Sequence, residues 1–411
     1  MRLTFSLLFA LFPVAVQAAV VGMNPPAPPL TIERIATLPA EQQPAWRDYL
    51  VRSERSLATD ARFYAEEIKS AGLKEPLVPP HGGGLKIDHN APWYGTEEAR
   101  RVAENLVSFQ TPAGGWNKNT DMTVGPRRTG ERSGYEAGYI GTFDNDATIT
   151  PLRFLAHTIT ASRSPATNST IRAAFLHGLD YVFAAQFPNG GWPQVWPLEG
   201  GYHDMVTFND GAMVNILTLL QDIAAGRDEF SFVPKELRAR AAASFARGLD
   251  CILATQIVTA GRRTVWCQQH DPLTLAPTSA RNYEMPAQAA GESAGIALFL
   301  MTLPTPDGAV VTAVKSAASW FEKTVLHDVQ FKPTGDGTGR HLNPVPGATP
   351  LWPRYSEIGS DRPLFGDRDK TIHDSVEEIS KERRDGYAWY GDTPKRALEH
   401  FAAWRKMHGA N

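Results

Sequence analysis

Two threonine-led clusters of acids and amides carry the first chemical signal in this chain. Thr142-Phe-Asp144-Asn145-Asp146 and Thr207-Phe-Asn209-Asp210 have their threonines 65 positions apart, and each precedes an apolar helical stretch. Asp and Asn in such places cap helices, because their side chains satisfy the free amides of a first turn. Two clusters at matching places in successive repeats also gather hard oxygen ligands on one end of the molecule. Such a set suits calcium, with positions left for a substrate carboxylate or water. Capping and binding are compatible. Farther on, Pro277-Thr-Ser-Ala-Arg281-Asn-Tyr-Glu284 reads as a third copy, in which an arginine replaces the acid where the third inner helix starts. His270, just upstream, reads as a structural hydrogen bonder. The last eighty residues concentrate cations among aromatics: Trp352-Pro-Arg354-Tyr355, Arg362, Arg368, and Arg383-Arg384 before Tyr387 and Trp389. A guanidinium makes planar bidentate contacts to carboxylates, and flanking rings stack on sugars. Internal pairing should consume some of these, Arg362 and one of Arg383 or Arg384 among them. Acids and cations segregated in sequence but folded around one cleft suit an anionic sugar, with calcium on one side and arginine on the other.

The elements that must position these residues are helical. Gln110-Thr-Pro-Ala-Gly-Gly-Trp116 returns as Gln186-Phe-Pro-Asn-Gly-Gly-Trp192, 76 positions on, a period of about one helical hairpin plus a long loop. Ala99, Val102, Leu106 and Phe109 form one apolar helical face ahead of Gln110. Ile171, Phe175, Leu179, Val182 and Phe183 do the same before Gln186, and Ala242, Phe245, Leu249, Ile252 and Leu253 before Gln256. A fainter fourth face runs through Val314, Ala317 and Phe321. Partner helices over 147–158, 212–225 and 285–301 are apolar all round, as the inner ring of a toroid requires.

Bulk properties narrow the class. With 411 residues there is material for a large core, and a net charge of −3 gives no polyanion-binding footprint, which argues against nucleic acid. Met1-Arg2, an apolar run from Leu3 to Val16 and then Val16-Gln-Ala18 read as a signal peptide cut after Ala18, so export, extracellular or periplasmic, is expected. No later run suggests a membrane span. Cys251 and Cys267 could form a short-loop disulfide or remain two half-buried thiols. The predicted organisation is a signal peptide over 1–18, a linker, helix and loop over 19–92, toroid repeats over 93–330, and a loop-rich second lobe with a closing helix over 331–411. A monomer is the simplest expectation for a single cleft.

Gly-Gly-Trp116-Asn-Lys118-Asn, Thr142-Phe-Asp-Asn-Asp-Ala-Thr, Gly-Gly-Trp192-Pro-Gln, Thr207-Phe-Asn-Asp-Gly-Ala-Met, the Arg281 segment and Arg362-Pro-Leu-Phe-Gly-Asp-Arg368-Asp together resemble the pectate lyases of polysaccharide lyase family ten, over roughly 93–404. The resemblance implies a mainly α fold, an incomplete (α/α)3 toroid with a smaller loop-rich lobe and an open groove between them. It implies calcium-assisted anti β-elimination of polygalacturonate. Asp144 and Asp210 would serve the calcium, Arg281 would take the C5 proton, and Arg354 and Arg368 would hold uronate carboxylates. Lys118, Trp192 and Tyr355, from the same motifs, would complete the substrate site. The family commonly has glycine where this chain has Asp146. Arginine as a base needs neighbouring cations and alkaline pH to supply its neutral form. Rival readings are a terpene-cyclase-like toroid, disfavoured by export, a two-carboxylate glycoside hydrolase, and a pectin-binding module without turnover.

Overall fold

The computed structural model describes residues 20–82, 85–138, 140–162 and 165–408. The expected signal peptide lies outside them. Eleven α-helices occur among the described residues: α1 (Ile32–Ile35), α2 (Gln43–Ser70), α3 (Glu97–Phe109), α4 (Ile149–Ala161), α5 (Pro165–Ala185), α6 (Ala212–Ala225), α7 (Lys235–Thr255), α8 (Ala290–Met301), α9 (Gly308–Thr324), α10 (Lys381–Gly386) and α11 (Thr393–His408). None is long and apolar enough to cross a membrane. The longer helices build a mainly α toroid: α4 packs on α3 and α5, α6 on α7, and α8 on α9 and α11. Inner helices α4, α6 and α8 bury residues around most of their circumference, whereas α3 is polar on one side.

The repeat is held by two kinds of side-chain staple. Gln110, Gln186 and Gln256 follow the three outer helices α3, α5 and α7 directly. Each sends its amide to a carbonyl of the next outer helix: Ala174 at 2.9 Å, Ser244 at 2.9 Å and Ala313 at 3.0 Å. Trp116, Trp192, Trp266 and Trp352 donate their indole N–H to Leu106, Val182, Ile252 and Phe321, carbonyls of α3, α5, α7 and α9, at 2.7–2.8 Å. Glycine makes room for two of these rings. A Cβ on Gly178 would stand 2.9 Å from Trp116, and one on Gly248 would stand 2.7 Å from Trp192.

The second lobe is a five-stranded sheet in the order Val20–Met23, Thr371–His373, Pro363–Gly366, Tyr355–Ser356, Gln288–Ala289, antiparallel throughout. Its core of Tyr283, Met285, Tyr355, Leu364, Phe365, Val376, Ile379 and Trp389 is separate from the core of the toroid. Three expectations change here. The last helix does not close this lobe: α11 packs on α8 and α9 and buries Ala397 and Trp404 in the toroid core. The third inner helix starts at Ala290, not Met285, because 283–289 is drawn into the second lobe. Cys251 and Cys267 are free and fully buried, not half-buried.

Candidate active site

Backbone pairing fixes the register of the repeat at the mouth of the toroid. Thr142 N donates to Trp116 O and Thr207 N to Trp192 O, both at 3.0 Å; the next amides, Phe143 N and Phe208 N, donate to Gln194 O and Gln268 O at 2.9 Å. Asp144 is therefore equivalent to Asn209, and Asn145 to Asp210. Both Asn145 (φ 50°) and Asp210 (φ 49°) are left-handed, a conformation that Asn and Asp tolerate better than most residues. The residue after each is left-handed too: Gly211, and in the first repeat Asp146 (φ 58°), an acid where glycine would be easier. The third repeat continues the same ladder with Ala289 N to Trp266 O at 2.8 Å and Ala290 N to Arg354 O at 3.0 Å. Its third copy of the cluster is thus Ala289-Ala290-Gly291-Glu292, and Arg281 is no member of the series.

The ladder sets four side chains at one level, each two residues after a stapling tryptophan: Lys118, Gln194, Gln268 and Arg354. Lys118 Nζ lies 2.6 Å from Asp144 Oδ2. Asn209 Nδ2 bridges the two acids, at 3.3 Å from Asp144 Oδ1 and 2.7 Å from Asp210 Oδ2, and Gln268 donates to its Oδ1. Burial raises the Asp210 pKa; the negative charge of Asp144 adds to this and Arg354 opposes it. Burial would lower Lys118, but Asp144 and then Glu136 outweigh it and hold the ammonium charged. Asp146 turns to α6, where Asn215 donates to it at 2.6 Å; burial, more than its acidic neighbours, raises its pKa.

Arg281 reaches the same cleft from a separate loop. A small sheet, Val206–Thr207 with Gln269–His270 with Pro277–Thr278, carries the chain across from the second repeat. A tight turn follows, with Glu284 N donating to Arg281 O at 2.8 Å. The Glu284 carboxylate accepts from Arg281 N at 3.0 Å, Nε at 2.9 Å and Nη2 at 2.5 Å, so Nη1 is the guanidinium nitrogen it leaves unengaged. Desolvation pulls the Arg281 pKa down, yet Glu284 more than offsets this and the net shift is upward. The nearest charge is an anion, where the base reading had asked for cations. Tyr387 donates to Glu284 at 2.5 Å and meets Tyr355 Oη at 2.8 Å, and Tyr355 bonds to Gln268. One chain of hydrogen bonds thus joins Asp144 to Arg281. Lys118, Asp144, Asn209, Asp210, Arg281 and Glu284 line a single cavity of about 160 Å³.

A toroid mouth bearing two amide-bridged acids opposite a glutamate-held arginine is the geometry against which known proteins can be compared. The pectic acid lyase family model matches residues 110–398. The chain belongs to the pectic acid lyase family. A mutant of the family 10 polysaccharide lyase from Cellvibrio cellulosa, in complex with trigalacturonic acid, is similar at 32% identity and a TM-score of 0.66, covering 76% of this chain and 95% of that one. The family 10 polysaccharide lyase from the same organism gives 32% identity and 0.65, with 78% and 97% covered. No curated protein matches. The chain is a pectate lyase, and its mainly α toroid agrees with these neighbours.

Within the lyase, Asp144, Asp210, Lys118 and Arg281 meet in the cavity. Arg354 is close enough to act on Asp210, but it is mostly buried and pairs with Glu292 at 2.7 Å. Arg368 stands at the rim, 61% exposed, its guanidinium paired with Glu382 at 3.0 Å and 5.6 Å from the Tyr283 ring. Two expected substrate contacts do not reach the surface. Trp192 is 0% exposed, its N–H taken by Val182, and Tyr355 is 1% exposed within the hydrogen-bond chain. Both support the floor of the site. Arg362 pairs with Glu357 and Asp374, as expected, and both Arg383, with Glu382, and Arg384, with Glu377, are paired where one of the two was expected to be. His270 is fully buried between Cys267 N and Leu275 O, a structural role. The residues missed in the sequence are Gln268, Glu284, Glu292, Tyr387 and His203. Burial chiefly lowers the His203 pKa; Asp144 opposes, and Lys118 and Arg281 lower it further, which places that imidazole in the same field. The spacing Trp-x-Gln268 was the one available signal among them.

Proposed function

We propose that this lyase is exported and cleaves α-1,4-polygalacturonate by calcium-dependent anti β-elimination, giving 4,5-unsaturated oligogalacturonides, and that it works as a monomer. The observation that carries the reading is the cavity itself, where Asp144 and Asp210, bridged by the Asn209 amide, share one lining with Arg281. Export rests on the apolar leader. A cut after Ala18 leaves Ala19 ahead of Val20–Met23, the strand paired with Thr371–His373.

The donor set fits a calcium ion. Two close carboxylates, one with its pKa raised by burial and by the other's charge, gain from a hard divalent partner. Among the described residues no group of three or more His, Cys, Asp or Glu is placed to hold a metal, so water and substrate oxygens would complete the shell. Asp144 and Asp210 would hold the ion, whose charge supplies neutralisation of the uronate carboxylate beside C5. Lys118 and Arg354 add fixed positive charge at the same level and orient the carboxylate. Arg281 takes the C5 proton on Nη1 while Glu284 fixes the guanidinium plane. The C5–H electron pair becomes the C4=C5 bond, the C4–O bond breaks, and solvent protonates the departing oxygen. The acids of the site are already committed to Lys118 and Asn209, which favours elimination over hydrolysis.

Polygalacturonate incubated with and without calcium tests this. A calcium-dependent rise in ultraviolet absorbance from the unsaturated uronide is the expected result. Binding without such a rise would leave a carbohydrate-binding module, and saturated products would indicate a hydrolase.

A further inference from the structure

We propose that a second polyuronate-binding site lies outside the catalytic cleft, in the cavity between the hairpin Val258–Thr259/Arg262–Arg263 and helix α9. The class of ligand rests on the pectate lyase reading; the site itself rests on its own geometry. The cavity measures about 530 Å³ and shares no lining residue with the catalytic one. Arg262 and Arg263 project from the hairpin, which follows α7 directly. Lys315, Ser319 and Lys323 sit four residues apart on α9, the spacing that puts side chains on one face of a helix. The loop at Gly359–Asp361 closes the third side, so the cavity opens at the seam of the toroid and the second lobe.

Charge makes this more than a solvated helix face. Four cations line the cavity against one carboxylate, Asp361, and that carboxylate is already held by Lys323 Nζ at 2.5 Å and by Trp320 Nε1 at 2.8 Å. Among the described residues Arg262, Arg263 and Lys315 have no ion-pair partner. Arg263 spends only Nη1, on the Leu253 carbonyl at 3.0 Å. A glutamate four residues from a lysine would pair with it on a solvated helix face; here Ser319 holds the place four residues from both Lys315 and Lys323, and Val311 stands on the other side of Lys315. A local excess of three positive charges on a chain of net charge −3 is poorly explained by solubility. It matches what a string of uronate carboxylates and sugar hydroxyls offers, through bidentate arginine contacts and hydroxyl hydrogen bonds. Retention here would keep a long polymer at the enzyme between cleavages in the cleft.

Native gels cast with polygalacturonate provide the test, in the full chain carrying Arg281→Ala so that polymer is not consumed. Adding R262Q/K315Q should weaken retardation, taken as mobility with polymer relative to mobility without, by about five- to tenfold, each exposed charge contact contributing a few-fold. R262E/K315E should weaken it further. A loss graded by charge with an unchanged circular dichroism spectrum is not what local misfolding produces. Fully methyl-esterified pectin should retard none of the variants. Equal retardation of the Arg281→Ala parent and both triple variants would overturn the proposal, as would equal retardation by the esterified polymer, since carboxylates would then not be what is recognised. If the wild-type chain forms no unsaturated product yet retardation still falls with the charge series, the second site stands and the lyase reading fails.

Discussion

Arg281 meets two opposed demands. To accept a proton it must be neutral, yet Glu284 grips three of its nitrogens and its pKa is raised beyond an already high value. Neutral guanidine then exists only in the alkaline limb, so the rate should climb with pH over that limb. Replacing Glu284 with Gln keeps the shape of the turn and removes the negative charge. The Arg281 pKa falls, its neutral fraction at any given pH rises, and the ascending limb of the pH–rate profile should move to lower pH. An unmoved limb would count against Arg281 as the proton acceptor. Arg281→Ala should cost turnover about 10³-fold or more while trigalacturonate still binds, because base and binding contacts are different groups. Asp210→Ala is a separate matter. It removes one of two carboxylates from a site completed by Asp144 and the Asn209 amide, so activity should fall steeply at low calcium and recover in part at high calcium. No recovery across a calcium titration would place Asp210 elsewhere than on the ion.

At the scale of elements, the loop that carries Arg281 is held by the far end of the chain. Asn24 is buried, and its amide nitrogen donates to the carbonyls of Arg281 at 3.0 Å, Asn282 at 2.9 Å and Glu284 at 3.2 Å, while Ser279 donates to Pro25 O. The strand Val20–Met23 beside it is stitched into the second lobe. Asn24→Ala should therefore lower kcat by about 10- to 100-fold, with a smaller change in KM, because an ångström of drift in a positioned group is that costly. Asn24→Asp should be no better, since a carboxylate would face three carbonyls. A parallel loss in thermal stability with kcat intact would reduce Asn24 to a fold anchor. The sequence showed Asn24-Pro-Pro only as an extended linker; its partners lie more than 250 residues away and nothing local encodes them. The outer helices were legible because an apolar face repeats at 3.6 residues and ends on glutamine each time. The third cluster was not, because Ala289-Ala290-Gly291 stands where the first two copies read Thr-Phe-Asp and Thr-Phe-Asn, and only the backbone ladder to Trp266 and Arg354 preserves the register. Trp192 and Tyr355 were misjudged as sugar platforms because an aromatic beside a site motif looks the same whether it faces the groove or, as here, supports it from beneath.

The whole molecule carries a titration of its own beneath the toroid mouth. Helix α2 buttresses the first two repeats through Tyr49 Oη to Ala185 O at 3.0 Å and the Arg127–Glu67 pair at 2.7 Å. Midway along it Asp60 is fully buried, and no described side chain bonds to either oxygen. Burial, weakly opposed by the Ala113 backbone, pushes its pKa up to about 7. Glu199 is raised by burial and by Asp204 to about 7, and Asp204 by burial to about 6. A carboxyl whose folded pKa lies above its unfolded one is protonated on folding. Its cost is therefore absent below about pH 4, grows between there and the folded pKa, and is constant above it. The fold should thus lose stability as pH rises from about 4 to 7, into the range where Arg281 requires the enzyme to work. Asp60→Asn removes one contribution without changing size. The variant should unfold at a higher temperature than wild type at pH 8, by an amount corresponding to on the order of 2–4 kcal/mol, and at nearly the same temperature at pH 4. Thermal unfolding at the two pH values decides it: a gain of equal size at both would mean that the amide merely packs better, and that ionisation of Asp60 does not limit the stability of the toroid.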